Sequence, residues 1–258
     1  MIDLHCHILF GIDDGPGTAE DTVALAQAFV AAGTTTVLAT PHVSFDWPAN
    51  DSALIAAKVA DVRALLAERT VPLDVRPGAE VALTRALELP DDELRRLTLD
   101  DSGLLLLECP LSPVAAGVEA AVAELRRRGH DRLLLAHPER VPAFQREPAL
   151  LARLVEAGAL TSMTAGAFSG RFGRDVARFA RDLLADGLVH TVASDAHSPA
   201  RRPPGIGGPL AEAGLTADAI EHLGRRAPLA ALAGRPLPAA PPVMVTRRTG
   251  PLGRLLGR

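Results

Sequence analysis

Tyrosine is absent from these 258 residues, which carry two cysteines, one tryptophan and 3% aromatic residues in all. Two cysteines cannot staple a chain of this length, so no disulfide framework is expected, and both thiols read as buried small hydrophobes. No apolar run approaches the ~20 residues that span a bilayer. Nor does the chain open with a basic stretch followed by an apolar one of the secretory kind, and a cytoplasmic location is expected. No Gly-x-Gly-x-x-Gly follows any candidate strand, which argues against a dinucleotide site. Positive charge is not in excess either. A net charge of -4 and a pI near 6.1 supply no global field for nucleic acid, and the role expected here involves none. What is present is ordinary globular composition, 48% hydrophobic and 22% charged, enough for a sizeable core. Length alone leaves one α/β barrel and two small domains as alternatives.

Pattern narrows that choice. Thr18 with Asp21 predicts a helix start, running over Val23, Leu25, Ala26, Phe29 and Val30 to a stop at Gly33. A β-branched strand follows over 34–40, then a helix over 51–69, a strand over 74–83 interrupted at Pro77-Gly78, and a polar helical segment over 89–97. The continuous apolar run over 103–107 predicts a strand buried on both faces. Helices over 114–128, 148–157 and 171–186 then alternate with strands over 132–136, 160–168 and 189–194. Seven strand–helix units of this kind predict a parallel sheet with helices outside it, doubly wound or closed into a barrel. Beyond Gly205 one short helix over 216–226 is expected. The stretch 235–258, rich in Pro, Gly and Arg, reads as a tail beyond a single domain over 1–234.

The opening strand carries the first chemical signal. Alternation turns His5 and His7 to one side and Cys6 to the other, which makes a pair of nitrogen ligands. Later apolar runs end in the same residue types: His42, Glu108, His137, Asp195 and His197. Strand C-terminal ends are where barrels keep their working residues, and a doubly wound sheet would not readily bring so many to one point. With Asp14 and Glu80 the set holds five histidines and four carboxylates, rich enough for two or three metals. Imidazole with carboxylate and no thiolate suits Mn, Fe or Zn rather than Mg or Ca. Without cations such a cluster would repel itself. His130, His190 and His222 fall in turns, at a strand start or on a helix and are assigned no role.

These motifs carry a resemblance. Asp3-Leu4-His5-Cys6-His7 with Gly11-Ile12-Asp13-Asp14-Gly15, then Ala39-Thr40-Pro41-His42, Gly78-Ala79-Glu80, Leu107-Glu108, His137-Pro138-Glu139-Arg140 and Ser194-Asp195-Ala196-His197, resembles the PHP (polymerase and histidinol phosphatase) superfamily. Within it the chain is similar to the bacterial capsule and exopolysaccharide protein-tyrosine phosphatases of the CpsB/YwqE type. The resemblance runs in order from residue 2 to about residue 205. It implies a distorted (β/α)7 barrel with a site of two or three metals, usually manganese, hydrolysing phosphotyrosine on a bacterial tyrosine kinase. Carried over by position, His5, His7, Glu80 and Asp195 would hold one metal, Glu80, Glu108 and His137 a second, and Asp14, His42 and His197 a third. Arg140 and Arg202 match the phosphate-binding arginines. Val43 and Val141 depart from the pattern, where members often have a histidine and an aromatic residue.

A cysteine-type phosphatase fails on counting. It needs an arginine separated from its thiolate by a five-residue phosphate loop, and the count from Cys6 reaches Ile12 and from Cys109 reaches Ala115. Metal-assisted hydrolysis meets no such obstacle, because bound cations lower the pKa of water and, with arginine forks, neutralise phosphoryl oxygens. The alternatives are a phosphatase of small esters such as histidinol phosphate, a phosphodiesterase or exonuclease, and a metal-holding regulatory module without turnover. Lacking tyrosine, the chain must find a phosphotyrosine substrate on another chain. The tail arginines Arg247, Arg248, Arg254 and Arg258 are either a means of reaching an acidic kinase tail or, peripherally, a membrane surface, or an inert terminus. Phe45 and Trp47, two aromatics in one polar loop after His42, either flank the phosphate site or pin the loop to the rim.

Overall fold

The computed structural model describes residues 1–112 and 117–242; the expected start of the helix at Val114 and the four tail arginines lie outside them. The strands are β1 (Ile2–Cys6), β2 (Thr36–Ala39), β3 (His42–Val43), β4 (Asp74–Pro77), β5 (Glu80–Ala82), β6 (Leu105–Glu108), β7 (Leu133–Ala136), β8 (Leu160–Thr164) and β9 (Thr191–Ala193). All their pairings are parallel, in two sheets ordered β1-β2-β4 and β3-β5-β6-β7-β8-β9. The predicted α/β class with a parallel arrangement is therefore present.

The strand predicted over 74–83 is split across the two sheets, and beyond the one predicted over 34–40 a further short strand begins at His42 in the second sheet; proline lies at both breaks. Pro41 falls between β2 and β3, and Pro77, the last residue of β4, precedes Gly78 in the gap before β5. Proline has no N–H to give a ladder. At the first break the Thr40 hydroxyl and N–H substitute, with Thr40 N–H donating to Cys6 O at 2.8 Å and Cys6 N–H to Thr40 Oγ1 at 3.0 Å. At the second, Gly78 lets the chain pass so close to Leu99 that a Cβ would stand 2.7 Å from Leu99 Cδ2. The far edges of the two sheets meet through the segment after β9. There Asp195 N–H donates to His5 O and His7 N–H to Ala196 O, both at 2.9 Å.

Period-two alternation divides the core into two. Leu104, Leu106, Leu134 and Ala136 join Ile2, Leu4 and Leu38 in a cluster enclosed between the sheets. Leu105, Leu107, Leu133 and Leu135 face the surrounding helices instead, against Phe29, Val62, Leu125 and Leu151. Strands buried on both faces are what the continuous apolar run over 103–107 implied. The enclosed cluster is capped by Leu99 and Ala231. On β6 the face of Leu104 and Leu106 continues to Glu108.

Helix Ala19–Ala31 starts as its sequence predicts, with Thr18 and Asp21 in a reciprocal capping box, worth typically ~1 kcal/mol. Four segments differ from expectation. The strand expected over 160–168 ends at Thr164, and Ala165–Phe168 is a helical turn. Short helices at Leu83–Ala86 and Pro142–Arg146 had no separate sequence signal. Beyond Gly205 the chain is richer than one short helix: Gly207–Glu212 and Ala217–Glu221 are α-helical, His222–Arg226 is a π-helical turn, and Ala227–Leu232 is α-helical again. The expected helix over 216–226 is thus interrupted by a widened turn that includes Gly224, and Pro228 sits in the first turn of the helix that follows, where proline is tolerated. Leu237, at the start of the expected tail, packs on the enclosed cluster.

Candidate metal centre

Local structure brings all nine predicted ligands to one end of the sheets. Parallel register sets His42 of β3 beside Glu80 of β5, and Ala82 beside Glu108 of β6. The irregular register of β1 between Asp3 and Cys6 leaves His5 and His7 together, their Nε2 atoms 3.3 Å apart. Cys6 points away, its Sγ 3.4 Å from Leu38 O. His137 and Asp195 follow their strands with φ of 32° and 53°, the left-handed region that side chains other than Gly, Asn and Asp rarely adopt. Such backbone occurs where the surroundings hold it in place, often at functional sites.

Glu80, fully buried, lies at the middle of the cluster. Its Oε2 stands 3.1 Å from His5 Nε2, 3.3 Å from His7 Nε2 and 3.1 Å from His42 Nδ1, yet none of the three is aligned for a hydrogen bond to it. Its Oε1 lies 2.8 Å from His137 Nε2, which is 3.8 Å from Glu108 Oε1. Asp195 Oδ1 is 3.6 Å from the Nε2 atoms of both His5 and His7. On the outer side Asp14 Oδ1 lies 3.1 Å from His197 Nε2 and 3.5 Å from His42 Nε2. Three sets of donor atoms are close enough to share an ion: His5, His7 and Glu80; His42, Glu80 and Glu108; and His7, Asp14, His42 and His197. Relative to the sets implied by resemblance, His42 stands in place of His137 beside Glu80 and Glu108, His7 joins the outer group, and Asp195 and His137 border the sets without entering any of the three.

A buried carboxylate oxygen ringed by imidazole nitrogens but without a hydrogen bond is what a cation site presents. The residues therefore fit a metal centre. Titration behaviour agrees. Against burial, which works the other way, Glu80 and Asp195 raise His5, while Asp13 and Glu80 raise His7 well above the usual imidazole range. Burial and the neighbouring Glu80 charge push Glu108 up to about 7. Protons thus offset part of the carboxylate charge, and a metal bound there would displace them.

Supporting residues fix the ligands. Asp13 Oδ2 lies 2.7 Å from His7 Nδ1 and accepts His42 N–H at 3.1 Å, while its Oδ1 accepts Gly15 N–H at 2.9 Å. With Nδ1–H given to Asp13, His7 offers Nε2 as a lone pair. Gly15 is required because a Cβ there would lie 2.6 Å from His7 O. Asn50 Nδ2 donates to Ile12 O and His42 O. Buried Asp3 accepts the N–H groups of Ser194 and His5. Asp3, Asp13 and Asn50 were not singled out in the sequence. Asp13 sat inside a quoted motif, but nothing local distinguishes the supporting aspartate from its neighbour Asp14. Asp13→Asn is expected to weaken metal binding about 10- to 100-fold, the usual cost of losing such a partner. Competition with a chelator measures this; an unchanged affinity would show that His7 needs no help from Asp13.

Arg140 and Arg202 converge on the outer oxygen of Asp195. Arg140 donates to Oδ2 at 2.6 Å, and Arg202 donates to the same atom and to His197 Nε2 at 2.8 Å. Phe172 lies under the Arg140 guanidinium, 4.7 Å from ring centroid to carbon. The unassigned histidines stay apart: His130 meets Asp91 and His190 meets Thr161. Val43 and Val141, the two departures, are buried apolar residues.

A histidine–carboxylate centre at the C-terminal ends of parallel strands, with arginines beside it, is the equipment of a metal-dependent hydrolase. The family described as capsular polysaccharide synthesis, CpsB/CapC, matches residues 1–214, and the chain belongs to it. It is 35% identical to the tyrosine-protein phosphatase YwqE of Bacillus subtilis over 198 residues, 77% of this chain and 78% of the relative. With the tyrosine-protein phosphatase CpsB of Streptococcus pneumoniae it shares 30% over 211 residues, 79% of this chain and 86% of the relative. A solved structure from work on YwqE and CpsB, described there as unique metal-dependent tyrosine phosphatases, superposes with a TM-score of 0.83 at 32% identity. It covers 96% of this chain and 100% of that one.

Proposed function

We propose that the chain is a manganese-dependent protein-tyrosine phosphatase whose substrate is a phosphotyrosine protein, in the first place a bacterial tyrosine kinase of capsule or exopolysaccharide synthesis. The observation that carries this reading is Glu80, a buried carboxylate shared between donor groups, in a chain whose relatives are tyrosine-protein phosphatases. We read the seven strand lines, β2 with β3 and β4 with β5 each counted once, as a distorted (β/α)7 barrel closed between β9 and β1. Residues 1–234 would be its domain and 235–258 its tail. No helix among the described residues is long and apolar enough to cross a membrane, in keeping with action in the cytoplasm.

His5, His7, Glu80, Asp195, Glu108, His137, Asp14, His42 and His197 would hold the ions, manganese first and iron or zinc in second place. Bound there, the ions would supply an acidified water and Lewis-acid neutralisation of phosphoryl oxygens. The chain's own groups do the rest. Arg140 and Arg202 present planar forks that match phosphate oxygens, and Asp195 holds both ready. Water adds to phosphorus as the bond to the phenolic oxygen breaks, giving phosphate and a tyrosine hydroxyl. A thiolate route has no support, since Cys6 and Cys109 are buried. Burial pushes the Cys6 thiol well above its ordinary value and Cys109 up to about 12, leaving almost no thiolate at neutral pH.

Turnover of a phosphotyrosine peptide beside histidinol phosphate, with and without added Mn, tests the reading. Mn-dependent hydrolysis that strongly favours the peptide is expected. A preference for the small ester would reassign the substrate, and no turnover of either would leave a metal-holding module.

A further inference from the structure

Beside the metal centre lies a cavity of about 380 Å³ whose wall includes His42 and Glu108, and beyond them Phe45, Trp47, Pro110 and Leu111. That volume is at the small end of the roughly 300–1,000 Å³ typical of small-molecule sites. Phe45 and Leu111 are 54% and 48% exposed, two of only four large hydrophobics so exposed among the described residues. Two such side chains on one rim, against candidate metal ligands, need an explanation.

Pinning the loop is not it. Asn50 already ties the loop down through Ile12 O and His42 O, at 2.9 and 2.7 Å. Turns close it from within, Asn50 N–H to Trp47 O and Trp47 N–H to Ser44 O. A Phe45 ring more than half in water adds little to that. Charge also gives the cavity a direction. Among the described residues that line it none is lysine or arginine and one is Asp46; Arg85 stands over the Phe45 ring at 5.6 Å without lining the cavity, whereas Arg140 and Arg202 gather on Asp195. A phosphate dianion is drawn to the arginines, so the group that faces this cavity is the uncharged side of the ester.

Building on the phosphatase reading above, we infer that Phe45, Trp47, Pro110 and Leu111 form the leaving-group subsite and hold the phenyl ring of phosphotyrosine while phosphorus lies at the metal centre. Aromatic stacking and apolar burial act on the ring, and an alkyl ester of serine or threonine has nothing to place there. The subsite therefore sets the preference for aryl over alkyl phosphates.

The chain offers its own reporter, since Trp47 is the single tryptophan and tyrosine is absent. Its emission should change on adding an aryl phosphonate to the metal-loaded protein and stay unchanged with an alkyl phosphonate of equal charge. In kinetics, Trp47→Ala should raise KM for p-nitrophenyl phosphate and for phosphotyrosine peptides by about two- to tenfold, with phosphoserine turnover unchanged. Leu111→Ala should act in the same direction and Trp47→Phe should restore most of the loss. Equal losses on aryl and alkyl esters, or a lowered melting temperature with unchanged kinetics, would overturn the inference. So would a loss confined to peptides, which would give the cavity to a residue beside the phosphotyrosine. Failure of wild-type protein to hydrolyse any aryl ester would instead overturn the phosphatase reading, and the fluorescence comparison distinguishes the two because it needs no turnover.

Discussion

Chelation is expected to abolish hydrolysis and to lower the melting temperature by on the order of 5–10 °C. The estimate starts from linkage: a ligand at about 100 times its Kd stabilises the native state by about 2.7 kcal/mol, and a domain of this size moves about 2–4 °C per kcal/mol. The cause is local. Glu80, Glu108 and Asp195 crowd with Asp14 around largely buried histidines, and without metal cations only protons, and the two arginines on Asp195, reduce the repulsion. His5 and His7, both raised above the unfolded imidazole value, give the stripped protein stability that is full below about pH 6.5 and is lost as pH rises through their raised values. The melting gap between loaded and stripped protein should therefore widen with pH above neutrality. Elemental analysis should find more than one transition metal per chain. A single metal or none in fully active protein would sink the multinuclear reading.

His42, Glu108, His137, Asp195 and His197 were legible because they close apolar runs, and His5 and His7 because period-two alternation turns them to one side; Asp14 and Glu80, in glycine-containing segments, had only the motif resemblance to mark them. Glu108 continues the face of Leu104 and Leu106, as a strand requires. Supporting residues leave no such trace. Asp3, Asp13 and Asn50 act through backbone groups remote in sequence, Asp3 on Ser194 and Asn50 on Ile12, and a lone polar residue has no period to betray it. How the ligands group was equally hidden. His42 and His137 approach Glu80 from different sides, a matter of strand packing rather than spacing. The helix Ala227–Leu232 was hidden for another reason, since Pro228 carries a helix-breaking signal, although in the first turn of a helix a proline has no hydrogen bond to lose. A Cβ at Gly224 would stand 2.6 Å from Met1 Cε and 3.2 Å from Ile206 Cγ2, so the methionine end would have to shift to admit one.

Asp195→Asn is expected to reduce kcat/KM by about 100- to 1,000-fold or more, the scale of losing one preorganised electrostatic contact. Unlike Asp13→Asn, it should not be rescued by excess Mn. The distinction lies in the two oxygens of Asp195. Oδ1 faces His5 and His7 among the candidate ligands, while Oδ2 takes hydrogen bonds from Arg140 and Arg202. Charge from His5 and Arg202, against burial, keeps the carboxyl well below the usual carboxylate range, so it is ionised throughout the working pH. An amide in its place has one oxygen, uncharged, and an NH2 that would point a donor at either a cation or a guanidinium. Saturating metal can compensate for a weakened ligand by mass action, but it cannot restore the anchor of two arginines. Titrating kcat/KM with Mn and measuring inhibition by inorganic phosphate separates these effects, since the loss of positioning weakens phosphate binding at every metal concentration. Full recovery at high Mn with wild-type phosphate affinity would mean that Asp195 acts as a ligand alone. Arg140 would then owe its place to the Phe172 ring beneath it, and Arg202 to His197.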